Sequence, residues 1–232
     1  MVETGLVVFF LFCFGAAIGS FLHVVGERYG TRLSFSKGNS FCPHCKKSLS
    51  ARELIPIFSY IFSAAKCRGC KTEIPVSYPI TELLTGLLAV ALLYNGNILL
   101  FLAACLLIIL IRIDSNLMLL PDNYIYLLIG ISIAYARYIN ADFTDIIFGM
   151  LAGAGSLYLL WIGTSGRGLG FGDVKLMIPL GILFGFQGVV ALLFLAFFVG
   201  GLLSIFLLAC GRVGPKTAIE FGPFLAGSAL CL

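Results

Sequence analysis

Long apolar runs alternate with short polar breaks along this chain, and the pattern predicts helices that cross a membrane. Apolar runs cover Leu6 to Val25 and then about 78–95, 98–113, 123–140, 144–163, 174–187, 188–210 and 219–232. A helix needs roughly 17–25 residues to span hydrocarbon, and several of these runs reach that length. They are continuous and do not alternate, which argues against a barrel. Asn95-Gly96-Asn97, Pro121-Asp122-Asn123, Asn140-Ala141-Asp142, the glycines before Asp173, Phe186-Gln187-Gly188 and Gly211 to Pro215 separate them. The expected fold is an all-α, polytopic membrane bundle of about eight transmembrane helices.

One polar segment is large, roughly residues 27 to 75, between the first and second helices. It carries half of the eight cysteines. Cys42-Pro43-His44-Cys45 and Cys67-Arg68-Gly69-Cys70 form two C-x-x-C knuckles, the spacing of a closed, tetrahedral four-thiolate zinc site. In a reducing compartment disulfides are the weaker alternative. A closed ligand set leaves no position for water, so the zinc is structural, and it stabilises a loop too small for a core of its own. His44 reads as a bystander. Cys13, Cys105, Cys210 and Cys231 lie in apolar runs and read as ordinary buried residues. The expected domains are a first transmembrane helix over 1–26, a cytoplasmic zinc-binding domain over 27–77 and a transmembrane domain over 78–232.

Composition supports the membrane reading. Hydrophobic residues make up 60% of the chain and charged residues 11%, where soluble domains carry about 25% charge. The first apolar run is preceded by Glu3, whereas a cleaved signal begins with Lys or Arg, so a retained helix is expected. Arg28, Arg32, Lys37, Lys46, Lys47, Arg52, Lys66, Arg68 and Lys71 crowd the polar segment. Such a cluster suits nucleic acid, but cytoplasmic loops of membrane proteins collect Lys and Arg, and no nucleic-acid partner is expected. With the N-terminus outside, Arg112, Arg167, Lys175, Arg212 and Lys216 join that loop on the cytoplasmic face, and only Arg137 falls near an outer end. Asp114, Asp122 and Asp173 then lie on the cytoplasmic side.

Carboxylates at the ends of apolar segments are costly, roughly 2.5–3.5 kcal/mol at mid-membrane, and by default mark function. Asp114 and Asp173 suggest a dyad that shares one proton and activates water, as in an intramembrane aspartic peptidase. Each has a plainer reading. Asp114 also reads as a helix-ending residue at the interface, and Asp173 as the cap of a helix starting at Val174. Asp122 follows Pro121 and suits an N-cap. Three alternating glycines, Gly168, Gly170 and Gly172, exceed what a cap requires, and they leave room for close backbones or a substrate strand. No P-loop sequence follows them, so Lys175 alone does not make a phosphate site.

Taken together, the motifs resemble the type IV prepilin leader peptidase/N-methyltransferase family, a GxGD-type group of intramembrane aspartic peptidases. Gly19-Ser20-Phe21-Leu22-His23-Val24-Val25 with Arg28 looks like its first-helix signature. The cysteine pairs, Leu54-Ile55-Pro56, Ser59-Tyr60 and Tyr78-Pro79 with Glu82 look like its cytoplasmic domain. Ile113-Asp114 through Leu120-Pro121-Asp122, Gly168 to Lys175, and Phe221-Gly222-Pro223-Phe224 match further motifs in order. The resemblance implies that Asp114 and Asp173 are catalytic, with Asp122, Gly168, Gly170, Gly172 and Lys175 as the supporting motif. It implies cleavage of type IV prepilins and pseudopilins after glycine at the cytoplasmic face of a bacterial inner membrane. N-methylation of the new terminus with S-adenosylmethionine then follows. His23 stands where the family commonly has Asn, and Arg112 stands near an aspartate normally preceded by apolar residues. His23 and Glu82 are candidates for holding substrate or cofactor, and a helix-first-turn acid is the plainer reading of Glu82. The rivals are a peptidase without methyl transfer and a non-enzymatic membrane zinc-ribbon adaptor. A proton-relay transporter fits less well, because both acids lie near one face.

Overall fold

The computed structural model describes residues 2–31, 40–166, 168–211 and 220–232. Arg32, Lys37, Arg167, Arg212, Pro215 and Lys216, named above for loop charge or as a break, lie outside the described residues. The described residues are mostly helical, with helices α1 (Val2–Arg28), α2 (Phe58–Phe62), α3 (Ser77–Leu93), α4 (Ile98–Leu117) and α5 (Asp122–Tyr138) in the first part. Helices α6 (Phe143–Met150), α7 (Ser156–Gly163), α8 (Phe171–Ala209) and α9 (Gly222–Cys231) follow. Among the described residues there is no β-strand, only the isolated bridges Phe41–Ser48 and Lys66–Glu73. Among the described residues, four helical stretches are long and apolar enough to cross a membrane: Thr4–Arg28, Ile98–Leu117, Phe143–Gly163 and Phe171–Ala209. Helices α3 and α9 are shorter apolar helices.

The chain divides into two compact units, Met1–Phe101 and Leu102–Leu232. In the first, α1 packs along α3 through small residues. A Cβ at Gly15 would lie 2.6 Å from the Thr85 carbonyl, and one at Gly19 would lie 2.7 Å from Thr85 Oγ1. Close backbone approach of this kind is what drives association where lipid removes the hydrophobic incentive.

In the second unit α8 is the spine, and α5, α6 and α9 pack against it. Leu176, Met177, Leu180, Leu192, Leu128 and Leu225 are fully buried. The expected pair of helices over 174–187 and 188–210 is present, the two lying end to end within α8 across an internal break. The break falls at Gly185, with φ 61° and ψ −169°, one residue before the expected Phe186-Gln187-Gly188. Backbone of that sign is open to glycine at little cost. It frees the Phe186 N–H, which Asp145 Oδ1 of α6 accepts at 3.0 Å. The run predicted over 144–163 is α6 and α7 joined by a π-helical turn, Leu151–Gly155. The segment between the first two apolar runs holds α2 and a 3₁₀ turn over Ala51–Leu54.

Candidate active site and metal centre

Helix α4 runs past the predicted end of its apolar segment to Leu117, so Asp114 lies inside its last turn and does not terminate it. The Asp114 carbonyl accepts the Met118 N–H at 2.8 Å. Helix α8 begins at Phe171, placing Asp173 in its first turn, where Asp173 Oδ2 accepts the Gly170 N–H at 3.2 Å. Both carboxylates are buried, Asp114 at 7% and Asp173 at 6% exposure.

Their meeting point is the first residue of α9. A Cβ at Gly222 would collide with Asp114 Oδ2 and lie 3.2 Å from Asp173 Oδ1. Three helices therefore converge, and only a residue without a side chain lets both carboxylates occupy the same spot. Asp173 uses one oxygen to cap its own helix and turns the other toward Asp114. Two adjacent carboxylates in a site closed to bulk water can hold a single proton and divide acid and base roles.

Asp122 departs from its predicted place. Pro121 occupies the N-cap position, with φ −70° and ψ 131°, and Asp122 is the first helical residue of α5. Proline suits a helix start because it has no N–H to leave unpaired. The Asp122 carboxylate reaches instead to Lys175 of α8, with Nζ 2.8 Å from Oδ1. Lys175 also lies over the Phe171 ring, 5.5 Å from its centroid. Of the glycines, Gly172 faces Leu120, where a Cβ would lie 3.1 Å from the leucine Cβ. Gly168 faces Thr164. The glycine run thus seats the start of α8 against the segment that carries Leu120.

In the first unit, the four predicted cysteines form one cluster. The sulfurs of Cys42, Cys45, Cys67 and Cys70 lie within 4.8 Å of one another, and His44 is not among them. The two knuckles share one backbone plan. The Cys42 N–H donates to the Lys47 carbonyl and the Lys46 N–H to the Cys42 carbonyl, at 3.0 and 2.9 Å. The Cys67 N–H likewise donates to Thr72 and the Lys71 N–H to Cys67, both at 2.9 Å. Lys46 and Lys71 both adopt positive φ, 59° and 63°. Two turns with the same hydrogen-bond pattern, their sulfurs brought together, are what presents four ligands to one tetrahedral ion. The Thr72 hydroxyl and N–H pull the Cys70 thiol down to about 6. The N–H groups of Cys70 and Gly69 also lower Cys67. At Cys45 the Lys47 N–H favours the thiolate, but desolvation and the other three sulfurs push it up to about 11. Four thiolates this close repel one another, and a divalent cation is the chemistry that relieves it. Of the remaining cysteines Cys105 is buried, but Cys13 is partly exposed and Cys210 and Cys231 are exposed, so they are not core residues as expected.

His23 and Glu82 are both buried, at 0% and 6% exposure. His23 Nδ1 lies 3.1 Å from Thr81 Oγ1, and Nε2 lies 3.3 Å from Glu27 Oε1. The His23 ring lies against Tyr78, tilted by 34° with 3.8 Å between centroids. Tyr78 in turn donates its hydroxyl to Glu27 Oε2. Glu82 sits in the second turn of α3, not the first, so the helix-start reading does not hold. Its Oε2 accepts the Ile57 N–H at 2.6 Å. Glu27 was not singled out from sequence. Its only sequence signal is its place four residues after His23, one helical turn on.

A model of the bacterial peptidase A24 N-terminal domain matches residues 13–95. A model of the type IV leader peptidase family matches residues 99–205. A prepilin leader peptidase/N-methyltransferase of Bacillus subtilis is 33% identical over 227 residues, covering 95% of this chain and 91% of that protein. Its counterpart in Aeromonas hydrophila is 31% identical and covers 93% and 86%. The Myxococcus xanthus protein of the same name is 35% identical and covers 90% and 65%. No solved structure matches the chain. The likeness extends through the cysteine segment and both aspartate-bearing helices, and the chain belongs to the type IV leader peptidase family of peptidase/N-methyltransferases.

Proposed function

We propose that this enzyme cleaves the basic leader from type IV prepilins and pseudopilins after glycine, and then methylates the new N-terminus. The observation that carries the peptidase reading is the convergence of Asp114 and Asp173 on Gly222. In this reading one carboxylate takes a proton from water as the water oxygen attacks the scissile carbonyl. The other carboxylic acid protonates the leaving amine as the C–N bond breaks, and the proton count of the pair is restored. Asp122 and Lys175 are positioning residues that hold α5 against the first turn of α8.

The membrane setting belongs to the same proposal. The runs described above cross a bacterial inner membrane about eight times, with the peptidase site and the cysteine segment facing the cytoplasm. The domain division is 1–26, 27–77 and 78–232. Cys42, Cys45, Cys67 and Cys70 hold a structural zinc, which their chemistry and spacing fit. S-adenosylmethionine supplies the methyl group. Its cationic sulfonium and ammonium suit the Glu27 carboxylate, whose side chain is 35% exposed and fixed by His23 and Tyr78. His23 and Glu82, both buried beside it, are the further candidates for holding substrate or cofactor.

Incubation of the detergent-purified protein with a prepilin, with and without S-adenosylmethionine, tests both activities by product mass. Loss of the leader after glycine plus one methyl supports the whole reading. Cleavage alone removes methyl transfer, and an intact prepilin favours a zinc-ribbon adaptor.

A further inference from the structure

Between the two cysteine knuckles, residues 54–62 build an apolar lip that the catalytic reading does not use. Ile55, Phe58, Ile61 and Phe62 are 48%, 53%, 63% and 77% exposed. The lip turns sharply at Ile57, whose φ of 63° and ψ of −53° are costly for a β-branched residue. The Phe58 N–H donates back to the Pro56 carbonyl at 2.6 Å, closing a strained three-residue turn. Strain of this kind persists only where surrounding structure imposes it. Here Glu82 imposes it by accepting the Ile57 N–H.

That bond also fixes the depth of the lip. Glu82 is the sixth residue of α3, about 7–8 Å along the helix from Ser77. Around it the outward face of α3 is apolar and exposed, with Ile80 at 56%, Leu83 at 47% and Leu87 at 55%. The lip is therefore held level with the first lipid-facing turns of an apolar helix. Flanking it, Arg52 and Lys66 are exposed cations at its two ends. Apolar side chains bordered by cations, held about 5–10 Å inside the boundary, are the signature of an element lying in the headgroup region. Lys and Arg there are attracted to acidic headgroups.

We propose that residues 54–62 are an interfacial anchor that inserts into the acidic leaflet and moors the cysteine segment to the bilayer surface. The proposal rests on α3 being a membrane helix. A prepilin helix is a competing occupant, but the lip is fixed beside the exposed apolar face of α3 by the chain's own bond to Glu82.

The test is tryptophan fluorescence of the full chain reconstituted in phosphatidylglycerol-containing vesicles, with Trp161→Phe as background. Phe62→Trp then reports on the lip, and Leu87→Trp, in a separate protein, reports on α3. The expected result is blue-shifted emission from the Phe62→Trp protein and at least twofold quenching by lipids brominated high on the acyl chain. That quenching weakens in phosphatidylcholine alone and in Arg52→Gln/Lys66→Gln. Water-like emission from the Phe62→Trp protein with a quenched Leu87→Trp protein overturns the anchor while leaving the membrane reading intact. Loss of quenching in both overturns the membrane reading as well. Quenching that falls when prepilin is added assigns the lip to substrate and overturns the proposal.

Discussion

Asp114 and Asp173 come from different helices and share one small space, the one left by the missing side chain of Gly222. Asp173 reaches it only with Oδ1, because Oδ2 is committed to the Gly170 N–H. Asp114 presents Oδ2 to the same point. The pair is therefore asymmetric before substrate arrives: one carboxylate is oriented by its own helix start, and the other by the last turn of α4.

Gly222→Ala places a methyl group against both carboxylates. Misplacing catalytic groups by about 1 Å costs on the order of 100-fold in rate. The expected outcome is a loss of prepilin cleavage of that order, with helicity and zinc content unchanged, read by cleavage kinetics, circular dichroism and elemental analysis. Cleavage at the parent rate would place the reacting groups elsewhere.

The Asp122–Lys175 pair is partly exposed on both sides, so its contribution to stability is small, about 0.2–1 kcal/mol at most. Its expected importance is positional. Lys175→Gln should lower kcat several-fold while shifting the melting temperature little. The swapped double variant Asp122→Lys/Lys175→Asp should recover part of the loss. A double variant no better than the singles would mean that each residue acts alone.

How much of this was legible in sequence depends on whether the signal was local. The apolar runs, the C-x-x-C pairs and the two aspartates are local, and the structure places helices over those runs and gathers the four sulfurs into one cluster. Turn chemistry points to a break at Phe186-Gln187-Gly188 in α8. It falls at Gly185 because Asp145, far away in sequence, accepts the N–H that the break frees. Asp122 had the sequence of an N-cap, yet Pro121 took that position and the carboxylate found Lys175, a tertiary choice. Gly222 carried no local signal beyond its motif, since its role is to be absent where two other helices meet. Glu82 reads in sequence either as a residue for substrate or cofactor or as a dipole-stabilised acid, and its partner is a strained backbone N–H in another segment.

Zinc binding should depend on the thiolates. Cys42→Ser is expected to reduce bound metal from about one ion per chain to a small fraction, since a closed site needs four ligands. Acidification should release it too, because protons compete for the same sulfurs and affinity falls as pH falls. Elemental analysis after dialysis across a pH series checks both. Metal content unaffected by the substitution would remove the zinc assignment.

Glu82→Ala leaves the Ile57 N–H without its acceptor and the strained turn without its restraint. A lost buried hydrogen-bond partner costs about 1–3 kcal/mol. The first unit should be destabilised by that amount, with faster hydrogen exchange at Ile57 and Phe58. Exchange unchanged at those amides would show that the turn is held by something else.

The most direct test of the central claim is prepilin cleavage by Asp114→Asn and Asp173→Asn, each purified in detergent with its zinc content and melting curve verified. Asparagine keeps the size of the side chain and removes the exchangeable acid proton and the charge. Both proteins are predicted to fold, bind metal and leave the prepilin uncut. A cut prepilin from either protein would contradict the shared-proton dyad.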